Sequence, residues 1–174
     1  MTGLRDAVAH ECDFGALMRE HRAMVFSIGY HFLHNRELAD EVAQEVFLGL
    51  HQHLRSIESP AHAAAWLRRV AVQRAIDAAR KRSRSRQVAI DELQPELSIW
   101  PLGRDPMLGE MLRRLVAALP ETPRMVMVLR YQEDLDPSEI AATMGMPVTT
   151  VKSHLQRSLA LLREKLERRG VCGR

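Results

Sequence analysis

Apolar residues recur every three or four positions along most of the chain, which is the spacing of one face of an α-helix. The first stripe predicts a helix from about Asp13 to Phe32, and the second, after a turn at His34-Asn35, predicts a helix that packs on the first. A third stripe predicts a helix over residues 63–82. The three stripes consist, in turn, of Phe14, Leu17, Met18, His21, Val25, Ile28 and Phe32; of Ala39, Val42, Ala43, Val46, Phe47, Leu50 and Leu54; and of Leu67, Val70, Ala71, Ala75 and Ala78.

The regular spacing stops near residue 83, where proline and glycine interrupt any regular element, and it returns only after Pro106. Shorter stripes then predict a helix that Pro120 ends and another that Thr122 caps. The chain is therefore expected to be all-α, with two small helical domains joined by a flexible linker. The expected bounds are 10–86 for the first domain, 87–106 for the linker and 107–170 for the second domain.

The residues around Asp136 carry the signals of a helix start. Its carboxylate can accept hydrogen bonds from the open amides of a first turn, Pro137 suits the first helical position, and Glu139 stands three residues after the cap. Gly145 then supplies the left-handed residue that ends a helix, and an apolar stripe resumes beyond Pro147. Two helices joined by so short a turn form the helix-turn-helix pattern.

The second helix of this pattern is expected to expose polar and basic residues near its start, while the small Ala141 and the apolar Val151 close the joint between the helices. Such side chains form hydrogen bonds with phosphates or with base edges in a major groove, so duplex DNA is the expected ligand. An ordinary helical hairpin with a solvated polar face is the alternative. The candidate DNA-binding residues are Thr149, Thr150, Lys152, Ser153, Gln156 and Arg157.

The second and third helices of the first domain carry opposite charges on their outer faces. The second helix has an acidic face with one aliphatic residue in it, which suits a basic protein partner or is simply solvated. The third helix is basic outside, as nucleic-acid binding requires, and its Trp66 is a core anchor or, alternatively, a surface for base stacking. The acidic face comprises Asp40, Glu41, Gln44, Glu45 and Leu48, and the basic face comprises Arg68, Arg69, Gln73, Asp77, Arg80, Lys81, Arg82, Arg84 and Arg86.

Composition excludes several classes of protein. The net charge is only +3, so the uneven distribution of charge matters more than its sum. The two cysteines, Cys12 and Cys172, lie near opposite ends, and the histidines form no complete ligand set, so neither a metal nor a cofactor is expected. With no signal pattern at the start and no apolar run near the roughly 20 residues of a membrane span, a cytoplasmic protein without membrane insertion is expected.

The order of these motifs resembles the bacterial sigma factors of the extracytoplasmic-function type, which direct RNA polymerase to promoters. The resemblance covers nearly the whole chain between about Phe14 and Leu166. No single motif is decisive, but their order and spacing are specific. The matching residues are Asp40 to Phe47, Trp66 to Ala71, Asp77 to Arg80, Leu119-Pro120, Leu129 to Tyr131, Glu139 to Ala141, Gly145 and Thr150 to Ser153.

The resemblance implies roles that the residue pattern leaves open. The acidic face would dock on core RNA polymerase, the helix-turn-helix would read the upstream (−35) promoter element, and an anti-sigma factor would regulate the chain in trans. The protein would be a monomer when free of partners, and it would have no catalytic centre. For the promoter element near the start site (−10), the resemblance implies the loop from Ile57 to His62 together with Arg69, Gln73, Asp77 and Arg80.

Two rival functions remain at this point. A stand-alone dimeric helix-turn-helix regulator would bind a palindromic duplex without polymerase. A metal-dependent hydrolase built on the histidines ranks last, because no Ser-His-Asp order or glycine-rich phosphate loop accompanies them.

Overall fold

The chain divides into two compact units, with the division between Leu93 and Gln94. The structure, a computed structural model, describes residues 13–86 and 106–168. The expected linker at 87–106 therefore lies outside the described residues except for Pro106, which begins a helix, and both cysteines also lie outside them. Within the described ranges the helices are α1 (Phe14–Leu33), α2 (Arg36–His53), a 3₁₀ turn (Leu54–Ser56), α3 (Pro60–Arg86), α4 (Pro106–Ala117), α5 (Glu121–Tyr131), α6 (Pro137–Met144) and α7 (Val148–Glu167).

Helices α1, α2 and α3 form a three-helix bundle in which each helix packs on the other two. Capping side chains fix where the first two begin: Asp13 accepts a hydrogen bond from the Ala16 amide at 2.9 Å, and Asn35 accepts one from the Leu38 amide at 2.8 Å. The αL conformation of His34 (φ 50°) turns the chain between them. The predicted stripes supply the core, in which Ile28, Phe32, Val46, Leu50, Leu67, Ala71 and Ala75 are completely buried.

Helix α3 is longer at both ends than the sequence predicts. The hydroxyl of Ser59 accepts a hydrogen bond from the His62 amide at 3.1 Å, and Pro60 occupies the first helical position. The loop that the resemblance implies from Ile57 to His62 therefore ends at Ser59, and Ser59-Pro60 is a helix start. The helix also continues to Arg86, so the expected end at residue 82 was wrong.

Helices α4 to α7 form the second unit, and α7 contacts each of the other three. Helix α5 begins at Glu121 after Pro120 and makes no side-chain cap, so the prediction that Thr122 caps it was wrong. The N-cap is Pro120, two residues before Thr122, and its carbonyl accepts a hydrogen bond from the Arg124 amide at 3.0 Å. Leu135, between α5 and α6, is buried and continues the core across that turn.

Candidate nucleic-acid interface

Helix α6 begins and ends as its sequence predicts. Asp136 Oδ1 accepts hydrogen bonds from the amides of Ser138 (2.7 Å) and Glu139 (2.9 Å), while Glu139 Oε2 accepts from the Asp136 amide at 2.8 Å. This reciprocal capping box satisfies donors that would otherwise be open at the helix start. At the other end Gly145 adopts φ 65°, a conformation that costs glycine little.

The short turn after Gly145 brings α7 against α6, and the joint between them is closed. Ala141 is buried and Val151 is completely buried, as expected for a small residue and a plug at this crossing. Because Val151 points inward, the residues around it on the outer side of α7 are directed to solvent. The helix-turn-helix prediction is confirmed.

The candidate DNA-binding residues occupy that outer side of α7. The side chains of Thr149, Lys152, Gln156 and Arg157 are exposed, and those of Thr150 and Ser153 are half-buried. The Ser153 hydroxyl donates to the Thr149 carbonyl at 2.9 Å, which leaves its oxygen able to accept a hydrogen bond. All six residues thus share one solvent-facing surface near the helix start.

A shallow depression of about 260 Å³ indents this surface. It is lined by Thr149, Thr150, Ser153, His154 and Arg157. Of these, His154 is the one residue that the sequence pattern did not place in the candidate set, because a half-buried histidine beside the apolar stripe gives no signal of its own. The hydroxyl, imidazole and guanidinium groups of the depression suit a phosphate or a base edge.

A second polar surface runs along α3. Arg69, Gln73, Asp77 and Arg80 are all exposed and follow one another at intervals of four, four and three residues, so they lie on one helix face. His62, two turns earlier, is exposed as well, and its Nδ1 accepts from the Glu58 amide at 3.3 Å. The α3 residues that the resemblance assigns to the promoter element near the start site are therefore contiguous, and together they are called the polar face of α3.

Ile57 and His62 do not share a loop, contrary to the expectation. Ile57 is only 6 % exposed and lies in the core of the first unit, whereas His62 belongs to the first turn of α3. A direct contact between the Ile57 side chain and DNA would require it to leave that core. Its position makes it a support for the 3₁₀ turn rather than a surface group.

Trp66 is half-buried against α2. A β-carbon at Gly49 would stand 3.3 Å from Trp66 Cη2, and the His53 ring lies over the indole with centroids 5.6 Å apart and planes at 37°. These contacts favour the interpretation of Trp66 as a packing residue. They also place it beside the polar face of α3, since it stands three residues before Arg69 and four after His62.

The acidic surface of α2 is exposed as predicted. Asp40, Glu41, Gln44 and Glu45 face solvent, and Leu48 is 64 % exposed among them. One ion pair crosses from this surface to α3, where Arg74 Nη1 lies 3.6 Å from Glu45 Oε2. The sequence did not reveal that contact, because a stripe on one helix does not indicate its register against another.

Two other kinds of site can be assessed within the part of the chain that the structure describes. No three His, Cys, Asp or Glu side chains within 13–86 and 106–168 converge in a way that could hold a metal ion. None of the helices in those same ranges combines the length and apolar content that a membrane span requires.

Each of the two units matches a known protein family. Residues 17–85 match the family described as Sigma-70 region 2, and residues 109–162 match Sigma-70, region 4. Each match falls within one unit: the first contains the acidic surface of α2 and the polar surface of α3, and the second contains the outer side of α7.

Several curated relatives align over most of the chain. The ECF RNA polymerase sigma-E factor of Escherichia coli is 30 % identical over 166 residues, covering 88 % of this chain and 86 % of that protein. The RNA polymerase sigma-E factor of Streptomyces coelicolor is 32 % identical over 136 residues, covering 78 % and 76 %. The ECF RNA polymerase sigma factor SigW of Bacillus subtilis is 25 % identical over 169 residues, covering 88 % of each.

Two solved structures share the fold. The sigma factor RpoE in complex with the anti-sigma factor NepR, from Bartonella quintana, superposes with a TM-score of 0.72 at 19 % identity and covers 89 % of this chain and 97 % of that one. CnrH in complex with the cytosolic domain of CnrY gives a TM-score of 0.67 at 22 % identity, with coverage of 94 % and 95 %.

Proposed function

The chain belongs to the extracytoplasmic-function sigma factors of RNA polymerase, and from that premise we propose how its three polar surfaces divide the work of directing transcription initiation. The observation that carries the proposal is the order of these surfaces. An acidic face, a basic helix face and a helix-turn-helix face follow one another along the chain, and each lies outside a well-formed core.

The acidic face of α2 docks on core polymerase. Four polar or acidic side chains surround the exposed Leu48, so the face offers charge for a basic partner and an apolar centre that gains from burial. The charged groups guide the encounter with the partner, and Leu48 contributes to the lifetime of the complex. The residues assigned to docking are Asp40, Glu41, Gln44, Glu45 and Leu48.

The polar face of α3 handles the promoter element near the start site. Opening a duplex exposes bases and brings a single strand against the protein, which requires cationic groups for phosphates and polar groups that can recognise a displaced base. Arg69 and Arg80 supply the cations, while Gln73 and Asp77 between them supply a donor and acceptors. His62 extends this face toward the start of the helix.

The outer side of α7 reads the upstream promoter element in the major groove. Lys152 and Arg157 suit phosphates or guanine edges, and Gln156 can pair with adenine. The depression adds His154 to this set, beside the Thr150 hydroxyl. Gly145 makes the short turn between the two helices of the motif, and the buried Ala141 and Val151 close their joint, so that the reading side chains are presented together.

Core polymerase and promoter DNA are the partners that this division of surfaces requires, and the protein itself supplies recognition rather than catalysis. An anti-sigma factor is a further partner. One solved structure of similar fold is the sigma factor RpoE in complex with the anti-sigma factor NepR, and the other is CnrH in complex with the cytosolic domain of CnrY. We place the activity in the cytoplasm, where polymerase acts. A stand-alone dimeric regulator is not favoured, because the acidic α2 face has no role in it.

Run-off transcription tests the proposal. Purified bacterial core polymerase is supplied with pooled genomic promoter fragments, with and without the protein. Discrete new transcripts whose start sites share two spaced upstream elements are the expected result. The absence of transcripts, together with tight polymerase-independent binding of a palindromic duplex by a dimer, would contradict it in favour of the stand-alone regulator.

A further inference from the structure

The ion pair between Arg74 and Glu45 joins two surfaces that the proposed function treats as separate. Glu45 belongs to the docking face of α2. Arg74 lies on α3, between Gln73 and Asp77 of its polar face in the sequence. Their nearest charged atoms, Nη1 and Oε2, lie 3.6 Å apart. A group that binds polymerase is thereby paired with a cation on the helix that binds DNA.

The position of Arg74 allows it to serve either surface. Residues of an α-helix advance by about 100° each, so Arg74 lies about 60° around the axis of α3 from Asp77 and faces α2 at the edge of the polar face. Its side chain is long and has several rotatable bonds, and a change of rotamer carries the guanidinium from the α2 side to the polar face.

The ion pair between Arg74 and Glu45 is also easily replaced by another charged partner. The side chains of Arg74 and Glu45 are 50 % and 59 % exposed, so water competes for both charges and the interaction is weak. A basic group of a docking partner that approaches Glu45 competes directly with Arg74 for the same carboxylate. Loss of so weak a pair costs little, and it leaves a cation at the edge of the polar face of α3.

We propose that Arg74 couples polymerase docking to promoter binding: it pairs with Glu45 in the free protein and contacts a DNA phosphate once polymerase has taken Glu45. This inference rests on the proposed docking role of the α2 face. It assigns to Arg74 a part in DNA binding that operates in the holoenzyme and is suppressed in the free chain.

The first test is a double-mutant cycle on the affinity for core polymerase, using Arg74→Ala, Glu45→Gln and the double variant. Because Arg74→Ala removes a competitor for Glu45, it should tighten binding to core polymerase by roughly two- to fivefold, the range for an exposed pair. On the Glu45→Gln background the same change should have no effect. Arg22→Ala, which removes an exposed arginine of α1 outside both faces, is the matched control and should not alter the affinity.

The second test is the salt dependence of promoter binding. In the holoenzyme, Arg74→Ala should reduce the slope of log K against log salt by roughly 0.7–0.9, the contribution of one phosphate contact. In the free protein, binding to a single-stranded oligonucleotide of the non-template sequence should show the same slope for wild type and Arg74→Ala. The combination of tighter polymerase binding and weaker promoter binding is not expected from a merely structural residue.

Three results would overturn the coupling. They are weaker polymerase binding by Arg74→Ala, a gain that persists on the Glu45→Gln background, and an unchanged salt slope in the holoenzyme. Failure of the proposed docking face is recognised separately with Asp40→Asn and Leu48→Ala. If these and Glu45→Gln all leave polymerase affinity unchanged, the docking assignment fails and the coupling fails with it. If they weaken binding while Arg74→Ala does not strengthen it, the coupling alone fails.

Discussion

A β-carbon added at Gly29 would stand 3.4 Å from the Cα of Ala39 and 3.5 Å from its Cβ, so the backbones of α1 and α2 meet at this pair of small residues. Both residues are buried. Ala39 directly precedes Asp40, the first residue of the docking face. The close approach therefore fixes how that acidic surface is presented by the bundle.

Substitutions at Gly29 should show how large a side chain the contact with Ala39 accepts before the protein loses stability. Gly29→Ala places its methyl group at ordinary contact distance and removes a glycine from a helix interior, so its stability should equal or exceed wild type by up to about 1 kcal/mol. Gly29→Val adds branches that have no space against Ala39 and should destabilise by about 1–3 kcal/mol. Urea unfolding followed by circular dichroism measures both. Equal stability of the two variants would show that the helices separate without cost.

The capping box of α6 should stabilise the second unit. Asp136→Ala leaves the amides of Ser138 and Glu139 without their acceptor and should lower the free energy of unfolding by about 1 kcal/mol. Asp136→Asn keeps an acceptor oxygen and should recover most of that loss. Ser138→Ala is the control, because its amide, not its hydroxyl, joins the cap. Thermal unfolding of the three variants decides the matter, and an unchanged midpoint for Asp136→Ala would exclude a stabilising cap.

The burial of His31 predicts how the free energy of unfolding of the first unit depends on pH. Burial lowers the pKa of His31 below its usual 6.5, because desolvation disfavours the charged imidazolium. The unfolded chain then binds a proton more readily than the folded one, so this stabilisation is complete above about pH 6.5 and is lost as the pH falls toward the folded pKa.

Replacing His31 with Leu should flatten that dependence between pH 7.5 and pH 5.5, a window chosen above the ordinary carboxylate pKa values of roughly 4. Urea midpoints at several pH values in the window provide the measurement. His51→Ala, which removes an exposed histidine of α2, is the control and should retain the wild-type profile. If His31→Leu loses stability on acidification as steeply as wild type, another group is responsible.

Local signals explain why much of this fold could be predicted from the sequence. Asp136, Glu139 and Gly145 determine a helix start and stop through contacts within a few residues, and the apolar stripes identify the core because the helical period is regular. Contacts between helices carry no such signal. The pairing of Arg74 with Glu45 depends on the register of α3 against α2, and sequence spacing leaves that register open.

Two local errors have the same origin in competing signals. Ser59-Pro60 is common in loops, yet the pair also suits a helix cap followed by the first helical position, and the packing of Ala63 and Leu67 selects the helix. The resemblance implies a DNA-facing loop that begins at Ile57, but Ile57 follows the short 3₁₀ turn in an extended conformation and its apolar side chain lies in the core. In both cases burial of neighbouring apolar groups decided between two locally acceptable conformations.

The outer side of α7 gives the most direct prediction about function. Lys152 and Arg157 are exposed there and carry the charges available for DNA contacts near the helix start. Replacing either with Ala should weaken holoenzyme binding to the upstream element, by roughly 1–3 kcal/mol if the side chain reads a base edge. If it contacts only a phosphate, binding should weaken about equally for all sequences, and the salt slope should fall by about 0.9.

Competition binding with wild-type and mutated upstream elements, repeated at several salt concentrations, distinguishes these two roles. Arg168→Ala is the matched control, because this arginine lies beyond the far end of α7 and pairs with Glu164 at 2.6 Å. Affinity for core polymerase should be unchanged in all three variants, since the docking face belongs to the other unit. Promoter output that survives both Lys152→Ala and Arg157→Ala undiminished would show that the recognition surface lies elsewhere on the second unit.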